Sequence, residues 1–118
     1  MTQHIAITNA HLVGGKGTLL LEGDRIAAIG GDIPAGAEIL DAKGAHVAPG
    51  IVDLGVFSVD KRACIAGGIT RIALMPDQKP VLDEPGIVQR AALAAKPDLW
   101  VHPLAAATRG LAGIELGE

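Results

Sequence analysis

With 118 residues the chain has the length of one ordinary domain, enough to bury roughly two thirds of the surface its unfolded form exposes. Hydrophobic residues make up 49% and charged residues 19%, which excludes a disordered chain and indicates a folded one. A formal net charge of −3, no basic run and only 2% aromatic residues argue against nucleic-acid binding, which needs cations for phosphates and rings for bases.

One Trp, one Phe and no Tyr leave the core to Ala, Val, Ile and Leu. Cys64 is the single cysteine, so no internal disulfide can form, and a reducing, cytoplasmic setting is expected. The opening MTQHIAITNA lacks the charged-then-apolar profile of a signal peptide. No apolar run reaches the ~18 residues of a membrane-spanning helix.

In chain order, the first stretch predicts short strands between turns. Ile5–Thr8 is the first, ending at Asn9-Ala10, and His11–Val13 extends it to Gly14-Gly15. Thr18–Glu22 and Arg25–Ile29 form a hairpin about the Gly23-Asp24 turn. Gly30–Gly36 is a Gly/Pro loop. Glu38–Asp41 and Ala45–Ala48 read as two short strands around Lys43-Gly44. The character changes at Pro49-Gly50. Ile51–Phe57 is a short apolar run interrupted by Asp53 and Gly55. Ala66–Gly68 is a small-residue turn. Ile69–Met75 has the near-continuous apolar pattern of a strand buried on both faces. After the Pro76–Pro80 loop, Asp83 is the expected helix cap, with Pro85 in the first turn. Ile87, Ala91, Leu93 and Ala94 then share a helical face up to Lys96, where Pro97 stops the helix. Leu99–Ala107 predicts a strand and Thr108–Leu116 a helix weakened by its glycines. Strands alternating with helices point to βα units of a parallel sheet.

The chemistry-bearing residues are dispersed. His4, His11, His46 and His102 show no ligand spacing, so structural or surface roles are expected for each, since a catalytic zinc needs convergent ligands. Cys64 lies in an Ala-rich context that favours a buried, inert thiol. Asp53, inside an apolar strand, is expected to be a buried carboxylate bonded to backbone amides. Asp60, Lys61 and Arg62 read as a solvated loop. Gly67-Gly68 lacks the Gly-Lys-Ser/Thr continuation of a phosphate loop and reads as a packing turn. Arg71, within a buried strand, calls for an acid such as Asp53 or Asp77.

Several segments taken together resemble a known family. Asp41-Ala42-Lys43-Gly44-Ala45-His46-Val47 followed by Ala48-Pro49-Gly50-Ile51-Val52-Asp53-Leu54 resembles the passage from an N-terminal β module into the first barrel strand of the amidohydrolase superfamily. Ala66-Gly67-Gly68-Ile69-Thr70, Met75 through Asp83, Val101-His102-Pro103-Leu104 and Thr108-Arg109-Gly110-Leu111 look like dihydroorotase in particular. The resemblance covers nearly the whole chain. It implies an α/β fold: a small β-sandwich-type module over 1–48, then over 49–118 the first βα units of a (β/α)₈ domain, an incomplete TIM-like barrel. It also implies a zinc-dependent hydrolase of cyclic amides in pyrimidine biosynthesis, with metals at the C-terminal ends of the strands.

The sequence departs from the family where metal and substrate are held. The His-x-His positions carry Gly55 and Phe57, and neither has a lone pair to offer zinc. The position of the carboxylate-binding Arg carries Val59, which cannot make paired hydrogen bonds. Asp77 stands where the family has a substrate-contacting Asn after Met-Pro, and is the one candidate substrate-binding residue. The segment between Phe57 and Gly67 is short by roughly a dozen residues against a first βα unit, which leaves only a helical remnant near Asp60–Ile65. A complete barrel needs about 250 residues.

No catalytic residue, bound cofactor or metal is therefore expected. The resemblance implies a non-catalytic dihydroorotase-like fragment or scaffold that is completed by self-association, by a C-terminal part, or by aspartate transcarbamoylase, which inactive relatives can support. The rival expectation is an active hydrolase with ligands drawn from Asp53, Asp77, His102 or Cys64, in a rearranged site or one shared between subunits.

Overall fold

The computed structural model describes residues 3–118. The chain divides into two compact units, Met1–Pro49 and Gly50–Glu118.

The first unit is a four-stranded mixed sheet in the order β3-β2-β1-β4. Its strands are β1 (His4–Leu12), β2 (Gly15–Glu22), β3 (Arg25–Ile29) and β4 (Glu38–Asp41). The expected segments Ile5–Thr8 and His11–Val13 are one strand with an irregularity between Ile7 and Ala10. Asn9 sits there with a φ of 52°, a left-handed conformation that Asn tolerates better than most residues. The β2–β3 hairpin pairs Glu22 with Arg25, so its turn is Gly23-Asp24 as expected, and Gly23 supplies the positive φ of 59°. β4 runs parallel to β1. Ala45–Ala48 is not a strand. It touches β1 through a single bridge, His11 to His46, held by His11 N–H to Ala45 O and Val47 N–H to His11 O, each 2.9 Å. Residues 3–49 thus form one sheet, without the second facing sheet of a sandwich.

The second unit is a parallel sheet in the order β5-β6-β7, with β5 (Ile51–Val56), β6 (Ile69–Leu74) and β7 (Trp100–Pro103). α1 (Lys61–Ala66) follows β5 and α2 (Pro85–Leu93) follows β6. Its core is Cys64, Ile72, Leu74, Leu82, Ala95, Leu99 and Val101, with Ile87, Val88 and Ala91 of α2 packed against it. Two glycines shape the β5–α1–β6 unit. A Cβ at Gly50 would overlap the Thr70 side chain, and Gly68 turns the chain into β6 with a φ of 76°.

Several expectations are corrected here. β6 is fully buried at Ile72 and Leu74 only: of the residues that alternate with them, Arg71 is exposed and Ile69 and Ala73 are half-buried. α1 and α2 pack on the side of the sheet that carries Ile72 and Leu74. Asp83 does not cap α2. Glu84 occupies that position without a side-chain bond, and the Asp83 carboxylate instead accepts from Gly110 N–H at 2.7 Å. α2 stops at Leu93, which is exposed, so the packing face is Ile87, Val88 and Ala91. The strand expected over Leu99–Ala107 spans only Trp100–Pro103. The helix expected over Thr108–Leu116 is a single 3₁₀ turn, Arg109–Leu111, where Gly110 leaves helical geometry with a φ of 59°. No helix among the described residues is long and apolar enough to cross a membrane.

Candidate functional site

In a parallel βα sheet the C-terminal strand ends and the loops leaving them are where chemistry is placed. β5 ends at Val56 and delivers Phe57, Val59 and the turn into α1. Phe57 is 65% exposed. Asp60 caps α1, accepting from Ala63 N–H at 3.0 Å, and Lys61 pairs with Asp98 at 2.6 Å. The expected solvated loop over 60–62 is therefore an organised helix start.

The loop after β6 is tied to the end of β5. Met75 N–H donates to Val56 O at 2.8 Å, and Gln78 Nε2 donates to both Phe57 O and Met75 O at 3.0 Å. Gln78 is the organising residue here, and sequence reasoning passed over it in favour of its neighbour. A side-chain amide beside a Met-Pro turn was the available signal. Asp77 is exposed, and no hydrogen bond or ion pair involves its side chain among the described residues. A hollow of about 230 Å³ lies beside this loop, with Val59, Gln78 and Ile87 in its wall and Lys79 and Arg90 at its rim.

The donor set offered at the end of β5 does not fit a zinc ion. Gly55 has no side chain, and its N–H is bonded to Asp53 Oδ1 at 3.1 Å. Phe57 offers only hydrocarbon. Asp53 is half-buried rather than buried, and its carboxylate accepts from that amide. The alternative ligands do not converge either: Cys64 is buried in the core, and among the described residues no three His, Cys, Asp or Glu side chains group as a metal site.

Arg71 takes neither Asp53 nor Asp77 as partner. The register pairs it with Trp100 on β7, and its guanidinium lies 5.1 Å from the indole centroid and 3.4 Å from His102 Nε2. Lys96 Nζ lies over the same ring at 4.1 Å. An exposed strand position lets the cation stay hydrated while using the ring face, so no buried acid is required. Among the histidines, His11 and His46 meet although far apart in sequence, stacked with centroids 5.1 Å apart. Across the turn below them, Lys43 N–H, first, and Asn9 Nδ2 hold the Asp41 carboxyl below its ordinary value of 3.8.

No family model matches the chain. It is 38% identical to the dihydroorotase of Syntrophotalea carbinolica, over 97% of this chain and 32% of that protein. It is 39% identical to a dihydroorotase-like protein of Pseudomonas putida, over 85% of this chain and 27% of that protein. The chain thus spans about a third or less of the length of the curated relatives it matches. The first match runs over 137 aligned positions although the chain has 118 residues, so that relative carries residues which this chain lacks. Among solved structures, L-hydantoinase (dihydropyrimidinase) from Arthrobacter aurescens superposes with a TM-score of 0.73 at 23% identity, over 92% of this chain and 28% of that one. That likeness carries the fold, and the sequence identities carry the kinship. The chain is a dihydroorotase-like member of the amidohydrolase superfamily, matching part of its longer relatives.

Proposed function

We propose that this chain is the N-terminal portion of a dihydroorotase-like (β/α)₈ protein and has a structural, non-catalytic role. β5, β6 and β7 are read as the first three strands of an incomplete barrel. The observation that carries the reading is the chemistry at the end of β5, where Gly55 and Phe57 occupy the positions of the expected zinc ligands and Val59 that of the substrate-binding Arg. A catalytic zinc needs three protein ligands and an open position. Without the metal, no group here activates water, and Asp77 would repel an anionic substrate rather than hold it. The 230 Å³ hollow beside Gln78 remains as the vestige of a substrate cleft.

The role we assign is that of a scaffold, in a cytoplasmic setting consistent with the single free Cys64. Its uncovered sheet faces and edges are completed by a second copy, by a C-terminal continuation, or by aspartate transcarbamoylase. The deciding experiment pairs elemental metal analysis of the purified protein with an assay of dihydroorotate and carbamoyl aspartate interconversion. The expected result is zinc far below stoichiometric and no turnover. Stoichiometric zinc, lost on replacing Asp53, Asp77 or His102, would overturn the proposal and put a rearranged hydrolase in its place.

A further inference from the structure

A second concave site lies within the first unit. Its origin is the irregularity in β1. Two β1 residues, Thr8 and Asn9, lie between the register pairs Ile7–Leu19 and Ala10–Gly17, where β2 has only Thr18. A bulge of this kind opens the ladder and re-aims side chains. The result is a hollow of about 430 Å³ lined by Asn9, His11, Lys16, Gly17, Thr18 and Gly44. That volume falls within the ~300–1,000 Å³ of small-molecule sites.

The lining is polar and basic. Lys16 is the register partner of His11 on one side, and His46 is its bridge partner on the other, with the two imidazoles stacked. Lys16 and His11 are the basic residues of the lining, and His46, stacked on His11, is not part of it. Among the described residues Lys16 makes no ion pair. Lys16 thus carries a fixed positive charge without a carboxylate partner among these residues, and an anion placed against it gains that Coulomb attraction. No carboxylate lines the hollow, and the Asp41 carboxylate, bonded to the lining residue Asn9, has its Oδ1 engaged by Asn9 Nδ2 and Lys43 N–H at 2.9 and 2.8 Å. Thr18 adds a half-buried hydroxyl.

We propose that this hollow is a binding site for a phosphoryl group, carried by free phosphate or by a small phosphomonoester. The donor types favour phosphate over carboxylate. A planar carboxylate is best met by the planar fork of an Arg, and the lining has none. A tetrahedral dianion suits an ammonium acting as a point charge, with imidazole and hydroxyl donors approaching from other directions.

The test uses the whole chain, ¹⁵N-labelled, titrated at constant ionic strength with inorganic phosphate and, separately, with ribose 5-phosphate. Saturable shifts are expected at Lys16, Thr18 and the His11 ring. Lys16→Gln should weaken binding about tenfold, the effect of one charge-assisted contact. Arg25→Gln, which removes an exposed cation outside the hollow, should leave it unchanged. Tighter binding of the ester assigns the site to phosphorylated metabolites, and equal binding assigns it to the free ion. Absence of saturable shifts with either probe overturns the proposal. So does a Lys16→Gln protein that binds as well as the parent, or an Arg25→Gln protein that loses as much as Lys16→Gln.

Discussion

The two units solve the problem of covering a sheet differently. In Gly50–Glu118, helices lie on one face of the parallel strands, and Ile72 and Leu99 are fully buried beneath them. In Met1–Pro49 there is no helix among the described residues, and the buried apolar residues are only Ala6, Ala10 and Leu19. Large side chains of that unit stay in water, with Val13 at 89% and Ile29 at 72% exposure. One sheet has a covering layer and the other depends mainly on its own ladders. A lone sheet buries too little apolar area to offset its conformational entropy, whereas one helical layer changes the balance.

The sharpest way to break this comparison is a pair of truncations. Leu99→Ala should cost about 2–5 kcal/mol, because it empties a fully buried position. Ile29→Ala should stay within about 0.5 kcal/mol, because its side chain is already solvated. Denaturant unfolding followed by far-UV circular dichroism measures both, and equal losses would mean that the first unit buries its apolar face in solution.

A smaller effect is expected at the start of α1. Asp60→Ala removes the cap on Ala63 N–H and should cost about 1 kcal/mol. Hydrogen exchange should quicken in α1 and leave β1–β4 unchanged.

The smallest effect is electrostatic and belongs to the first unit. The Asp41 carboxyl is held below its ordinary value by the Lys43 N–H and then by Asn9. A carboxyl with a lowered folded value stabilises the fold above its unfolded value and loses that contribution as pH falls through the folded one. The Lys43 amide resonance should therefore titrate with a midpoint below 3.8, and Asp41→Asn should abolish the titration. A midpoint at or above that value would mean the turn is open in solution.

These contrasts also mark what was legible before folding. The strands β1 to β6, the Gly23-Asp24 turn and the change of character at Pro49-Gly50 follow from local alternation and from turn chemistry, which act within a few residues. The kinship with dihydroorotases was legible too, in the motifs from Asp41 to Leu111, as was the replacement of the expected metal ligands by Gly55 and Phe57. Residue identity alone decides that a side chain has no lone pair.

Only the tertiary structure decided the rest. Whether β6 is buried on one face or two depends on which layers exist, and an apolar run is the same in either case. Arg71 found Trp100 and His102 through strand register, and Asp83 found Gly110 rather than the first turn of α2, because each partner lies far away in sequence. His11 and His46 became neighbours, with Lys16 beside them, only when β1 bulged and the segment after β4 returned along it. Sequence carries the local propensities and the chemistry of each side chain. Long-range pairing alone decides which of those chemistries meet.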